Sequence, residues 1–97
     1  MIYPRQAFAV RPVTQNIVVG TASATITLPQ AFNASNVRLV NSGTQTVFIS
    51  FSGVATLNDF PLLPNSTNIV AYFVDAPLSA IAAAVGSTLY ATVGEGT

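Results

Sequence analysis

The stretch Gln45-Thr46-Val47-Phe48-Ile49-Ser50-Phe51-Ser52 decides the fold class. Val47, Ile49 and Phe51 alternate with Thr46, Phe48, Ser50 and Ser52, the two-residue period of a strand that buries one face. β-Branched and aromatic residues dominate it, and these fit a pleated, half-buried surface. Just before it, Asn36 to Val40 repeats the pattern, with Val37 and Leu39 inward and Arg38 outward. Asn41-Ser42-Gly43 between the two is turn chemistry, because Asn tolerates a positive φ and Gly adopts one freely. The two segments are therefore expected to pair as a β-hairpin.

Working outward, the same signals recur to both ends. Ser23 to Leu28 alternates Ala24, Ile26 and Leu28 with Thr25 and Thr27, and Pro29 ends it by removing a ladder donor. Thr67 to Val74 has two apolar faces, Ile69, Ala71 and Phe73 on one and Val70, Tyr72 and Val74 on the other. Such a strand expects cover on both sides. Ser79 to Val85 and Thr88 to Val93 flank Gly86-Ser87 and read as a second hairpin. Ala80 to Ala84 suits a short helix by propensity, but its length and its place between Pro77 and Gly86 favour a strand. Gly53 to Ser66, with Pro61, Pro64 and Asn58-Asp59, reads as a long loop anchored by Phe60, Leu62 and Leu63.

These segments predict an all-β protein: an antiparallel β-sandwich of about seven or eight short strands. A jelly-roll topology is preferred to an immunoglobulin-like one, whose Cys…Trp…Cys marks are absent. Residues 1–13, broken by Pro4 and Pro12, are expected to form an extended N-terminal arm ending in an edge strand. Residues 14–97 form the single sandwich domain.

Composition narrows the function. Six of 97 residues are charged, the net charge is zero, and Lys, His, Cys and Trp are all missing. An ordinary domain is roughly 25% charged, and its charges keep it apart from its neighbours. A surface this poor in charge suits a protein covered by other protein. Without His or Lys there is no Ser-His-Asp, Cys-His or Ser-Lys nucleophile system. Asp59, Asp75 and Glu95 are too scattered for a calcium loop, and zinc sites usually need His or Cys. Asp59 and Asp75 could meet in space as a glycosidase pair, but each sits near proline and reads as a turn residue. The expectation is no enzyme, no cofactor and no metal.

Arg5, Arg11 and Arg38 are the only cations, which gives nucleic acid or an anionic membrane almost no electrostatic hold. The longest apolar runs, Ile69 to Val74 and Ala80 to Val85, fall far short of a spanning helix. Ala7 to Val10 is shorter than a signal-peptide core. Asn33-Ala34-Ser35 and Asn65-Ser66-Thr67 match the glycosylation triplet but carry no weight without such a signal.

What remains is contact with protein. The candidate interface comprises Ile2, Tyr3, Arg5, Phe8, Val10 and Arg11 in the arm, with Phe48, Tyr72 and Tyr90 as outward aromatics. The arm's apolar residues are costly to leave in water, and its arginines can pair with a neighbour's carboxylates. Arg38 reads as a solvated charge. Outward aromatics can pack on protein or stack on sugars; a reversed strand face or the arm itself would instead cover them.

From Asn36-Val37-Arg38-Leu39-Val40-Asn41-Ser42-Gly43 through Thr44-Gln45-Thr46-Val47-Phe48-Ile49-Ser50-Phe51, the chain resembles small virion structural proteins of tailed bacteriophages. The likeness continues through Pro61-Leu62-Leu63-Pro64, Ile81-Ala82-Ala83-Ala84 and Leu89 to Gly96, covering residues 36 to 96. It is a pattern of hydrophobics and turns, with no catalytic signature. It implies a capsid decoration or cement protein that self-associates and braces the major capsid protein. Such a chain is made in the host cytoplasm and resides on the virion exterior. A carbohydrate-binding or receptor-binding module stays open, with Tyr72, Tyr90 or Phe48 as platforms and Asn58 and Asp59 as polar partners. So does a tail, collar or head-fibre component.

Overall fold

The computed structural model describes residues 9–28, 36–71 and 77–95, with side chains for all of these except 9–13 and 95. Eight strands run along them: β1 (Ala9–Val19), β2 (Ala24–Thr27), β3 (Asn36–Gly43), β4 (Val47–Ser50), β5 (Phe60–Leu62), β6 (Ser66–Ala71), β7 (Pro77–Ile81) and β8 (Ser87–Glu95). No helix occurs among the described residues. The strands form two four-stranded antiparallel sheets, in the orders β1-β8-β3-β6 and β2-β7-β4-β5.

The alternation read in the sequence fixes which side chains face inward. Val37 and Leu39 of β3 and Val47 and Ile49 of β4 are buried, while Arg38 between them is exposed. Ile17, Val19, Leu89, Ala91 and Val93 extend the first sheet's inner face. Leu78, Ala80 and Leu62 extend the second, and all of these join one core. Burying a leucine of this kind contributes roughly 1.5–3 kcal/mol. Val70 of β6 also packs against the core, yet its strand is only half-buried along most of its length.

Neither expected hairpin forms. β3 lies in the first sheet and β4 in the second, so Val37 and Leu39 face Val47 and Ile49 across the core instead of lying beside them. β7 and β8 likewise belong to different sheets. The reason is that β3 and β8 pair with each other over eight residues, from Asn36↔Gly94 to Gly43↔Ser87. That long ladder outcompetes two short local ones. Asn41-Ser42-Gly43, read as a turn, instead ends β3 in pairing with Leu89, Thr88 and Ser87, and the corner follows at residues 44–46. Asn and Gly thus serve a strand end before a change of sheet as well as a hairpin turn. Gly43 shows why: with φ at +145°, a Cβ there would overlap the Gly86 carbonyl oxygen and Ser87 Cα. Only glycine lets the end of β3 approach the β7–β8 connection so closely.

The expected loop from Gly53 to Ser66 contains a strand. β5 pairs with β4 at the sheet edge, where Pro61 costs no ladder bond. Of the expected anchors Leu62 is buried, whereas Phe60 and Leu63 are exposed. The strand expected from Ser79 to Val85 starts at Pro77 and stops at Ile81. β1 is an edge strand beside β8, with a register irregularity between Val10 and Thr14 that brackets Pro12. The rest of the expected arm, residues 1–8, lies outside the described residues.

Candidate protein interface

Of the expected contact residues, Ile2, Tyr3, Arg5, Phe8 and Tyr72 lie outside the described residues. Val10 and Arg11 belong to β1, within or beside its irregular stretch. Tyr90 is outward and 39% exposed on β8, between Asn16 of β1 and Val40 of β3. Phe48 is half-buried on the outer face of β4, between Ile81 and Pro61. The two aromatics stand on different sheets and face opposite sides of the sandwich, so they do not form one patch.

The arrangement that does stand out is the end of the sandwich formed by the β1–β2, β3–β4, β5–β6 and β7–β8 connections. Hydrogen bonds tie the four together. Ala82 N–H donates to the Gly20 carbonyl at 2.9 Å, and Thr44 N–H donates to the Gly86 carbonyl at 3.2 Å. Ser87 Oγ donates to the Gln45 carbonyl at 2.9 Å and accepts from Gln45 N–H at 3.0 Å, standing in for a ladder neighbour. Gly43 N–H reaches Asn65 Oδ1 at 3.4 Å, and Ser66 Oγ donates to the Leu63 carbonyl at 2.6 Å. Asn65 itself adopts φ +55°, a conformation Asn tolerates better than most residues.

Asn41 holds the centre of this end. It is wholly buried, and its Nδ2 donates to the carbonyls of Gln45 at 2.8 Å, Leu62 at 2.9 Å and Leu63 at 3.1 Å. Those carbonyls belong to the β3–β4 connection, the last residue of β5 and the β5–β6 connection, so one side chain joins β3 to both corners. Its Oδ1 is buried with no partner among the described residues. In the sequence Asn41 reads as a turn residue. Its inward parity with Val37 and Leu39 was the signal that could have placed it inside.

Residues 18–23, 42–46, 63–65 and 82–88, which make this end, include no charged side chain. From it Val18 (79%), Leu63 (63%) and Val85 (74%) project into solvent. Each sits in an apolar run, Ile17-Val18-Val19, Leu62-Leu63 and Ala82 to Val85, so nothing in the sequence singled it out.

Elsewhere the β4–β5 connection lies against the outer face of the second sheet. Thr25 Oγ1 donates to the Gly53 carbonyl at 3.1 Å, and Ala55 N–H donates to Ser23 Oγ at 2.9 Å. Ser79, outward by register and 2.8 Å from Thr25 through their hydroxyls, is consequently buried. Asp59 acts as the expected turn residue, its Oδ2 accepting from Thr56 N–H at 2.7 Å and Thr56 Oγ1 at 3.1 Å.

At the end remote from the four connections, the two sheets part along the β5 and β6 edges. An open groove of about 370 Å3 lies there, lined by Ile49, Ser50, Phe51, Asp59, Phe60 and Val70. Among the described residues no three His, Cys, Asp or Glu side chains come together, and no helix is long and apolar enough to cross a membrane. No protein family, curated protein or solved structure matches the chain.

Proposed function

We propose that this chain is a non-enzymatic virion structural protein of the capsid decoration or cement type, seated on the shell by its loop end. The observation that carries the proposal is that end: uncharged, pinned by buried hydrogen bonds, and presenting Val18, Leu63 and Val85. Rigid apolar anchors lose little conformational freedom on docking, which is how a small surface gains affinity. The absence of charge adds no desolvation penalty.

The strand order supports the same reading. Every connection except β4–β5 changes sheet, and the orders β1-β8-β3-β6 and β2-β7-β4-β5 support a jelly-roll reading of the sandwich. Viral capsid and lectin domains both use that fold, so the fold alone does not choose between them. The phage likeness of residues 36–96 favours the capsid. On this reading the partners are the major capsid protein and further copies of the chain, on the virion exterior.

The test is a binding assay on undecorated shells. Leu63→Asp with Val85→Asp should abolish decoration while leaving the melting temperature within a degree or two, because both side chains are exposed. Full decoration by that variant would refute the loop-end reading. A second reading, a glycan-binding module, draws support from Tyr90, an exposed ring with the Asn16 amide beside it and the hydroxyls of Thr88 and Thr92 on the same face. Glycan-array binding that disappears in Tyr90→Ala would favour it over the capsid reading.

A further inference from the structure

We infer that the groove between β5 and β6 receives residues 1–8 of a second copy, joining neighbouring subunits edge to edge. This rests on the self-association in the proposed function and names its site. The groove's floor and walls are apolar, from Ile49, Phe51, Phe60 and Val70, and Asp59 is the one charge that lines it. Asp59 spends Oδ2 on Thr56, while Oδ1 has no partner among the described residues. The occupant should therefore be an extended segment with an apolar side chain and a cation on one face.

Residues 1–8 supply that pattern. In an extended chain, residues two apart share a face, about 6.5–7 Å from one another. Tyr3 and Arg5 are so spaced, and Pro4 between them biases both its own φ and the preceding residue toward extended backbone. Tyr3 meets Phe51, Phe60 and Val70 while Arg5 meets Asp59. β6 also offers main-chain bonds. It pairs only with β3 among the described strands, and its six residues contain no charge and no proline. Edge strands usually carry such features to prevent pairing, and an extended segment adds to an edge that lacks them.

The geometry favours a second copy over the same chain. β1, which residues 1–8 precede, is at one edge of the first sheet and β6 at the other, three strand spacings or roughly 14 Å apart. To reach its own groove the segment would have to turn across the ends of β8 and β3. That would use about four of its eight residues, at 3.3–3.6 Å each, and leave Arg5 at the limit of its reach. A neighbour placed beside the β1 edge requires no such turn. Donor and acceptor on opposite edges make the contact head-to-tail, which closes into a ring where the rotation between copies allows and otherwise extends as an open filament.

The chain has no cysteine, so introduced ones report cleanly. Tyr3→Cys chains mixed with size-tagged Phe60→Cys chains and oxidised should give a covalent heterodimer in large excess over Tyr3→Cys with Val18→Cys. No excess overturns the proposal. So does a Tyr3→Cys/Phe60→Cys double variant that links within one chain at high dilution. By sedimentation, Arg5→Gln and Asp59→Asn should each weaken self-association about tenfold, and together little more than either alone. Asn keeps a carbonyl for Thr56, so the turn survives that change; additive losses would contradict the pairing. Shell decoration, measured in parallel, separates the two claims. Decoration without the cross-link refutes the groove alone, and the cross-link without decoration refutes only the capsid reading.

Discussion

The two ends of the sandwich solve opposite problems. At the loop end the sheets are sealed: Leu62 and Asn41 are wholly buried, and four connections share hydrogen bonds. At the other end, Phe51 and Val70 pack against the core but stay partly exposed beside Phe60, which is half in solvent. The same two edge strands, β5 and β6, border both. They are joined by the tight Leu63-Pro64-Asn65 corner at one end and diverge toward the other. A closed end holds apolar tips in fixed positions, while an open end leaves core side chains for something else to cover. The contrast suggests why a sparsely charged protein could contact one neighbour with its tips and another with its groove.

Substitutions at the closed end should break this contrast most severely. Gly43→Ala forces a Cβ against the Gly86 and Ser87 backbone, which cannot yield as a flexible side chain would. A loss of about 3 kcal/mol or more is expected in chemical denaturation. A change under about 1 kcal/mol would show that the β3–β8 approach is looser than described. Next comes Asn41→Ala, which strands three carbonyls and leaves a small void; roughly 2–3 kcal/mol should be lost. Hydrogen exchange should rise at both corners that Asn41 joins. Exchange rising at only one of them would mean that the corners are pinned independently.

The open end should be far more tolerant. Phe60→Ala removes a ring already 52% exposed and should cost no more than about 1 kcal/mol in the isolated chain. Self-association should suffer much more than folding does. If Phe60→Ala proved as destabilising as Asn41→Ala, the distinction between the ends would collapse.

Much of this was legible in the sequence. The alternation in Gln45 to Ser52, Asn36 to Val40 and Ser23 to Leu28 gave the strands and their faces, because parity is a local property. The partnering of those strands was not legible. Asn41-Ser42-Gly43 and Gly86-Ser87 look alike whether the chain folds back beside itself or crosses to a facing sheet. The choice was made by the β3–β8 ladder, between segments about fifty residues apart in the chain. The candidate interface was missed for a related reason. Leu63, Val85 and Val18 are unremarkable singly, and only the sheet order gathers them at one end. Tyr90 was correctly read as outward, but β4 and β8 lie in different sheets, which separates Phe48 from it.

The central claim is that the uncharged loop end is the docking face. Cryo-electron microscopy of capsid shells incubated with this chain tests it most directly. The expected image is a sandwich whose Val18, Leu63 and Val85 lie against the shell, with Tyr90 away from that contact. A bound sandwich with these three side chains in solvent, and another face on the shell, would contradict it.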